Sequence, residues 1–179
     1  VRDGADFILN GEKTSISAAV QAHAAVVFAR TEPDARARGI SAFLVDLDSP
    51  GVSRTRFNDV GMRAVGRGSL FFDDVRVPAT HLLGRENQGF SQVMSGFDYS
   101  RALIGLHCIG VARAALDETW AYANERHTFG VPIGNHQGVS FPLAESETLL
   151  EGVRLLCLKT LWLKDRGLPH TSEAAMCKW

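Results

Sequence analysis

The stretch Glu125–Gln137, ERHTFGVPIGNHQ, gathers Arg126, His127, Thr128, Phe129, His136 and Gln137 around three turn formers, Gly130, Pro132 and Gly134, between two long helical patterns. That is more chemistry than a connector needs. The plainer reading is that loops are polar and that these glycines and this proline simply break the helices. A second cluster, Phe97-Asp98-Tyr99-Ser100-Arg101, sets a carboxylate three residues before a guanidinium. Asp98 suits a helix N-terminus, and Arg101 can pair with it or face solvent. Ser15 and Ser17, on either side of Ile16, read as outward residues of an amphipathic strand. His23, His107 and His170 have no partner at ligand spacing, and no CxxC or Cys/His cluster exists, so no metal centre is expected.

The 179 residues are 45% hydrophobic and 22% charged, a globular composition that suffices for one full domain or two small ones. With 19 basic against 20 acidic residues and a net charge of −1, the chain has no basic stripe for nucleic acid or anionic membrane. Any anion must be met locally. Cys108, Cys157 and Cys177 are odd in number and lie in apolar helical settings, which predicts buried free thiols in a reducing, cytoplasmic compartment. No apolar run approaches the roughly 18 residues of a membrane span. The chain starts in a turn without initiator Met or targeting segment and stops within EAAMCKW, a run that Thr171 or Ser172 can cap. An internal piece of a longer chain is the expectation.

Two halves with different periods must position these residues. FILNGEKTSIS carries Asn10-Gly11, a hairpin signal, between two β-prone runs, and HAAVVFAR, ISAFLVDL, VSRTRF and SLFFDDVRV continue at strand length. Successive short strands without helices predict an antiparallel barrel or sandwich over residues 4–78. Beyond Pro78, the segments 87–126 and 139–166 space their apolar residues by three and four, predicting helices of about 25 residues. Leu103, Leu106, Ile109, Gly110 and Ala114 share a face whose small members would permit close helix contact. The fold class is α+β, with an antiparallel β-domain followed by part of an up-down helical bundle.

The motifs GEKTSIS, FLVD with PGV, GMR before LFFDDVRVP, NQGF, FDYSR, ERHTFG and HQ follow one another in an order that resembles the acyl-CoA dehydrogenase family over essentially the whole chain. The resemblance implies a middle β-domain over 1–80 and the start of the C-terminal helical domain over 81–179. It also implies FAD as cofactor, an acyl-CoA thioester as substrate, an electron-transfer flavoprotein as acceptor, and a homodimer or homotetramer. In the family a carboxylate removes the α proton and the flavin accepts the β hydride, giving the 2-enoyl-CoA. A thioester α proton is weakly acidic, so preorganised donors must stabilise the developing enolate.

By this resemblance Ser15, Ile16 and Ser17 lie beside the flavin, and Ser17 supplies the hydroxyl that a Thr usually gives. Ser15 replaces a Trp, which implies a roomier site or flavin contact through backbone amides alone. Phe97, Asp98, Tyr99, Ser100 and Arg101 become substrate contacts. Because Ser100 is not acidic, the catalytic base is expected outside this chain, and residues 1–179 alone are expected to be inactive. Val65 and Arg67 depart from the GMRxSxT pattern; Arg67 reads as a solvent arginine or as a contact to a CoA phosphate. Arg126 would meet the pyrophosphate of a partner's FAD, with His127, Thr128, Phe129, His136 and Gln137 around it, since a guanidinium fork suits a diphosphate. The departures at Ser15-Ile16-Ser17 and Gly66-Arg67-Gly68 resemble enzymes of cyclic substrates such as cyclohexanecarboxyl-CoA. A flavin monooxygenase on the same scaffold and a non-catalytic assembly domain are the competing expectations.

Overall fold

Apolar residues two apart at Phe7 and Leu9 fold Asp6–Ser17 as one strand, β2, with one face buried. In the computed structural model, which describes all 179 residues, β2 follows β1 (Arg2–Asp3) and precedes β3 (Ala24–Arg30), β4 (Ile40–Asp46), β5 (Val52–Arg56), β6 (Arg67–Val77) and β7 (Leu82–Leu83). Every pairing is antiparallel, in two sheets ordered β1-β2-β6-β5 and β3-β4-β7. The chain divides into two units, Val1–Val93 and Met94–Trp179, and these strands lie in the first. Phe7, Leu9, Leu70, Phe72, Val75 and Val77 from one sheet share a core with Val27, Phe43 and Val45 from the other. The sheets face each other without joining, so the β-domain is a sandwich and not a closed barrel. Phe7 and Phe43 meet edge to face at 4.8 Å, and each such fully buried side chain contributes about 1.5–3 kcal/mol.

The Asn10-Gly11 hairpin predicted from sequence does not form; β2 runs straight through it. Pairing passes from Leu9↔Val75 to Gly11↔Phe72, which leaves an extra residue in β6 at Asp73-Asp74. Asn10 bridges that bulge: its Nδ2 donates to Asp74 Oδ1 at 2.8 Å, and its Oδ1 accepts the Asp74 amide at 2.8 Å. Asp74 sits at φ 49° and Gly11 at φ 135°, so the residue pair that often makes a turn here makes a bulge. A second bulge follows, now in β2, where pairing passes from Lys13↔Leu70 to Ile16↔Gly68. Side chains alternate by two, so one extra residue reverses the inward set and returns Ile16 to the core.

The segment between β5 and β6 is tied at three points. Arg67 forks onto Asp59, Nε to Oδ2 at 2.8 Å and Nη2 to Oδ1 at 2.9 Å, while Arg63 Nε reaches Asp59 O at 3.1 Å and Arg56 Nη2 reaches Arg63 O at 3.0 Å. Arg67 is exposed, as the solvent reading expects, and it also forks onto Asp59, a pairing that needed Asp59 folded back across eight residues. The hydrogen bond from Arg67 holds the Asp59 carboxyl below its ordinary 3.8.

The second unit is built on helices longer than the pattern suggested: α1 (Gly89–Glu125) has 37 residues, α2 (Gln137–Asp165) has 29 and α3 (Thr171–Lys178) has 8. Contacts that step down α1 step up α2: Lys164 Nζ lies 4.8 Å from the Tyr99 ring, Gly105 faces Cys157, and Arg113 pairs with Glu147. The two helices are antiparallel. Ala102, Cys157 and Cys177 are the buried centre where α1, α2 and α3 meet. A Cβ on Gly105 would stand 2.8 Å from Cys157 Sγ and 2.9 Å from Cys177 O, closer than real atoms pack. The close-contact glycine is thus Gly105 and not Gly110, which has nothing within 4 Å. Burial first, then Cys177, pushes the Cys157 thiol up to about 11. Cys108, expected inside, is exposed. It borders an apolar groove of about 800 Å³ whose floor includes Ile109, Leu116, Leu143 and Leu150. No helix is long and apolar enough to cross a membrane.

Gly105→Ala should destabilise the helical unit by about 1–3 kcal/mol, as overpacking does, whereas Gly110→Ala should stabilise it by up to about 1 kcal/mol through helix propensity; thermal denaturation of the two variants compares them directly. Since the Asp59 value is lowered, its support of the β5–β6 segment is complete above pH 3.8 and is lost as pH falls through the depressed value. Amide exchange of Val65 and Gly66 should accelerate over that acidic range, and Asp59→Asn should show fast exchange already at neutral pH.

Candidate functional site

At the end of α1 the backbone turns sharply and is held on both sides. The Arg126 amide donates to Tyr122 O at 2.8 Å, closing the helix, and the Arg126 carbonyl accepts the Ile133 amide at 2.8 Å. His127–Thr128 (β8) and Val131–Pro132 (β9) then pair as a minimal hairpin, His127↔Pro132 and Thr128↔Val131. Its two turn residues, Phe129 at φ 55° and Gly130 at φ 85°, are both left-handed, as a tight hairpin turn requires. Glycine adopts this at no cost; phenylalanine does not. The Phe129 side chain is 97% exposed, so neither backbone preference nor core packing explains an aromatic residue there.

His136 and Gln137 come back to this hairpin. Thr128 Oγ1 and His136 Nε2 share a hydrogen bond at 3.2 Å, the donor being set by the histidine tautomer, and the Phe129 and His136 rings meet edge to face at 6.1 Å. His127 Nδ1 lies 2.9 Å from Glu125 O. His136 is the N-cap of α2 with no side-chain cap bond, and Gln137 is its exposed first residue. Arg126 is exposed and enters none of the ten ion pairs. The result is one short hairpin that carries an exposed guanidinium on a pinned backbone, an imidazole, a hydroxyl and an exposed aromatic ring, and that leads into a helix N-terminus. Such a set suits an anionic ligand that carries a planar ring.

A second group lies near the start of α1. Asp98 and Arg101 do pair, Nη1 to Oδ1 at 2.7 Å, but Asp98 has another partner that the spacing did not announce. Thr171 Oγ1 donates to Asp98 Oδ2 at 2.6 Å from 73 residues away. Thr171 is not the cap expected of it; His170 holds that position, and Thr171 is the first residue of α3. The Arg101 guanidinium lies 5.9 Å from the Phe97 ring, and Phe97 and Tyr99 are 45% and 43% exposed. Ser100 donates to Phe97 O at 3.2 Å.

In the β-domain, the second bulge explains the local form of Ser15-Ile16-Ser17. Ser15, at φ 59°, lies with Thr14 in the bulge, Ile16 anchors in the core, and Ser17 pairs with Arg67 at the strand end with its side chain exposed. The strand presents two hydroxyls flanking one apolar anchor. The structure therefore gathers Arg126, Thr128, Phe129, His136 and Gln137 around one hairpin and Phe97, Asp98 and Arg101 with Thr171 around one helix start, and it sets Ser15 and Ser17 at a bulge of the other unit.

The chain is similar to known proteins over nearly its whole length. The family model for the acyl-CoA dehydrogenase middle domain matches residues 1–75, and that for the acyl-CoA dehydrogenase C-terminal domain matches residues 87–179. Over 177 residues the chain is 40% identical to the mitochondrial short-chain specific acyl-CoA dehydrogenase of Rattus norvegicus, covering 98% of this chain and 43% of that one. It is 38% identical over 179 residues to the cyclohexane-1-carbonyl-CoA dehydrogenase of Geobacter metallireducens, covering 99% and 47%. The structure of butyryl-CoA dehydrogenase from Megasphaera elsdenii matches at a TM-score of 0.90 and 33% identity over 98% of this chain and 46% of that one. The chain spans about half the length of the curated relatives it matches. Two family models in succession, matched on the sandwich and on the helices, show that the chain belongs to the acyl-CoA dehydrogenase family.

Proposed function

We propose that this chain forms part of an FAD-dependent acyl-CoA dehydrogenase that converts a fatty, branched or cyclic acyl-CoA to its 2-enoyl-CoA, and passes the electrons to an electron-transfer flavoprotein. The observation that carries the reading is the hairpin at Arg126: a fully exposed phenylalanine in strained backbone is costly to keep unless a ligand meets it, and an exposed guanidinium in no ion pair stands near it in sequence. Arg126 and Thr128 would hold the diphosphate of FAD, Phe129 would pack by its adenine end, and His136 and Gln137 would close that edge. As the guanidinium points out from its own unit's surface, the cofactor it holds would belong to a second copy, in a homodimer or homotetramer. Ser15 and Ser17 would supply hydroxyls at the flavin edge, with Ile16 fixing the strand from the core side. Bound FAD supplies the acceptor for the β hydride.

On the substrate side, Arg101 is the donor aimed at the acyl-CoA and Phe97 and Tyr99 offer apolar surface. Asp98 accepts from both Arg101 and Thr171, which leaves it unsuited to take a proton. The base is therefore proposed to come from outside residues 1–179, and these residues alone should be inactive. Three free thiols are compatible with a cytoplasmic location.

Expressed with all the sequence its gene encodes, the protein should purify yellow and bleach when acyl-CoA is added without oxygen. A colourless protein that FAD cannot reconstitute would sink this reading. In that protein Arg126→Ala should weaken FAD retention by about tenfold or more, the effect of losing a charge-assisted hydrogen bond. Phe129→Asn should keep the hairpin, with thermal stability unchanged or raised by up to about 1 kcal/mol because Asn accepts the left-handed backbone. Flavin content measured on both variants separates a binding role from a structural one.

A further inference from the structure

The Thr171 hydroxyl is not used where a helix-starting threonine normally uses it. It leaves the cap to His170 and donates to Asp98, whose other oxygen accepts from Arg101. A hydroxyl, a carboxylate and a guanidinium thus form a chain from α3 to α1. The Asp98 side chain is 13% exposed and that of Arg101 is 31% exposed, so the acceptor is sheltered while the cation still reaches solvent.

An i,i+3 pair by itself leaves arginine a choice of rotamers, because the carboxylate can turn with it. Here Thr171 holds the second oxygen and so restrains the carboxylate. Only Nη1 of Arg101 is engaged by Asp98, and the Phe97 ring lies against the guanidinium at 5.9 Å. Nε and Nη2 remain as one free N–H edge with a set direction. The helix α3 does not depend on this contact for its place: Cys177 packs at Gly105 and Cys157, Thr160 Oγ1 lies 3.2 Å from Cys177 Sγ, and Lys159 Nζ reaches Glu173 Oε1 at 3.1 Å.

We propose that Thr171 is a positioning residue for acyl-CoA binding: by locking Asp98 it fixes the Arg101 guanidinium so that its free edge meets an oxygen of the thioester ligand. This rests on the reading of residues 97–101 as the acyl-CoA contact. The group acts through Arg101 and touches no reacting atom.

The test uses the protein with all its encoded sequence, carrying Thr171→Val, Thr171→Ser and Arg101→Lys, with butyryl-CoA and cyclohexanecarboxyl-CoA as probes. Thr171→Val should raise KM for the better probe about tenfold, as for loss of a hydrogen bond to a charged group, while kcat falls by no more than about twofold. FAD content and Tm should stay near wild type, and Thr171→Ser should restore KM. A Thr171→Val enzyme with wild-type KM, or one whose KM, kcat and Tm worsen together with no rescue by Ser, overturns the positioning role. If Arg101→Lys weakens acyl-CoA binding while Thr171→Val does not, the proposed function stands and this inference falls. If wild type responds to no acyl-CoA, the functional reading falls and takes the inference with it.

Discussion

The register between β2 and β6 is the constraint on which the β-domain depends. These two strands are the middle of the larger sheet and supply Phe7, Leu9, Leu70, Phe72, Val75 and Val77 to its core. With a side-chain period of two, a slip of one residue would turn that whole set to solvent. The two bulges on opposite strands offset one another: the extra residue at Asp73-Asp74 lengthens β6, and the extra residue at Ser15 lengthens β2. Asn10 stabilises the first by two hydrogen bonds, and Ile16 secures the second by returning to the core. The exposed side chains of Ser15 and Ser17 on either side of Ile16 are a consequence of that correction.

In the helical unit the equivalent constraint is steric. Three helices converge at a position where even a methyl group is excluded, and Gly105 is the residue that satisfies it. From that point the antiparallel course of α1 and α2 follows, with Tyr99–Lys164 at one end and Arg113–Glu147 toward the other. The 37-residue length of α1 carries the contact chemistry of Asp98 and that of Arg126 on one continuous rod, about 40 Å apart by helical rise. The Asp98 and Arg126 groups are thereby spaced by one element, and the short hairpin β8–β9 needs only to fix the turn that follows it.

The hairpin also shows where local preference gives way. Phenylalanine in left-handed backbone is unfavourable, and its ring is left almost wholly in solvent, yet the surrounding hydrogen bonds at Arg126 and Thr128 hold it there. Within its own unit the ring meets only the edge of His136, so the strain is held by the hydrogen-bonded frame around it and not by core packing. Asp98 presents the opposite case, a carboxylate whose partners, Arg101 and Thr171, are both internal.

Much of the framework was legible in the residues. Period two before Pro78 and period three to four after it separate strands from helices, because a pleat and a helix expose different sets of positions. The order of motifs was enough to place the chain in its family. What local pattern did not decide was every contact between distant segments. Asn10-Gly11 has the same dihedral preferences in a bulge as in a turn, and only the partner strand selects one. Arg67 could not be assigned before Asp59 was folded back on it, nor the close-packed glycine distinguished between Gly105 and Gly110 before α3 arrived beside Cys157. Thr171 and Asp98 are 73 residues apart, so no spacing rule joins them. Short-range periodicity reports which face a residue occupies; what lies opposite that face is settled only when the chain has returned to it.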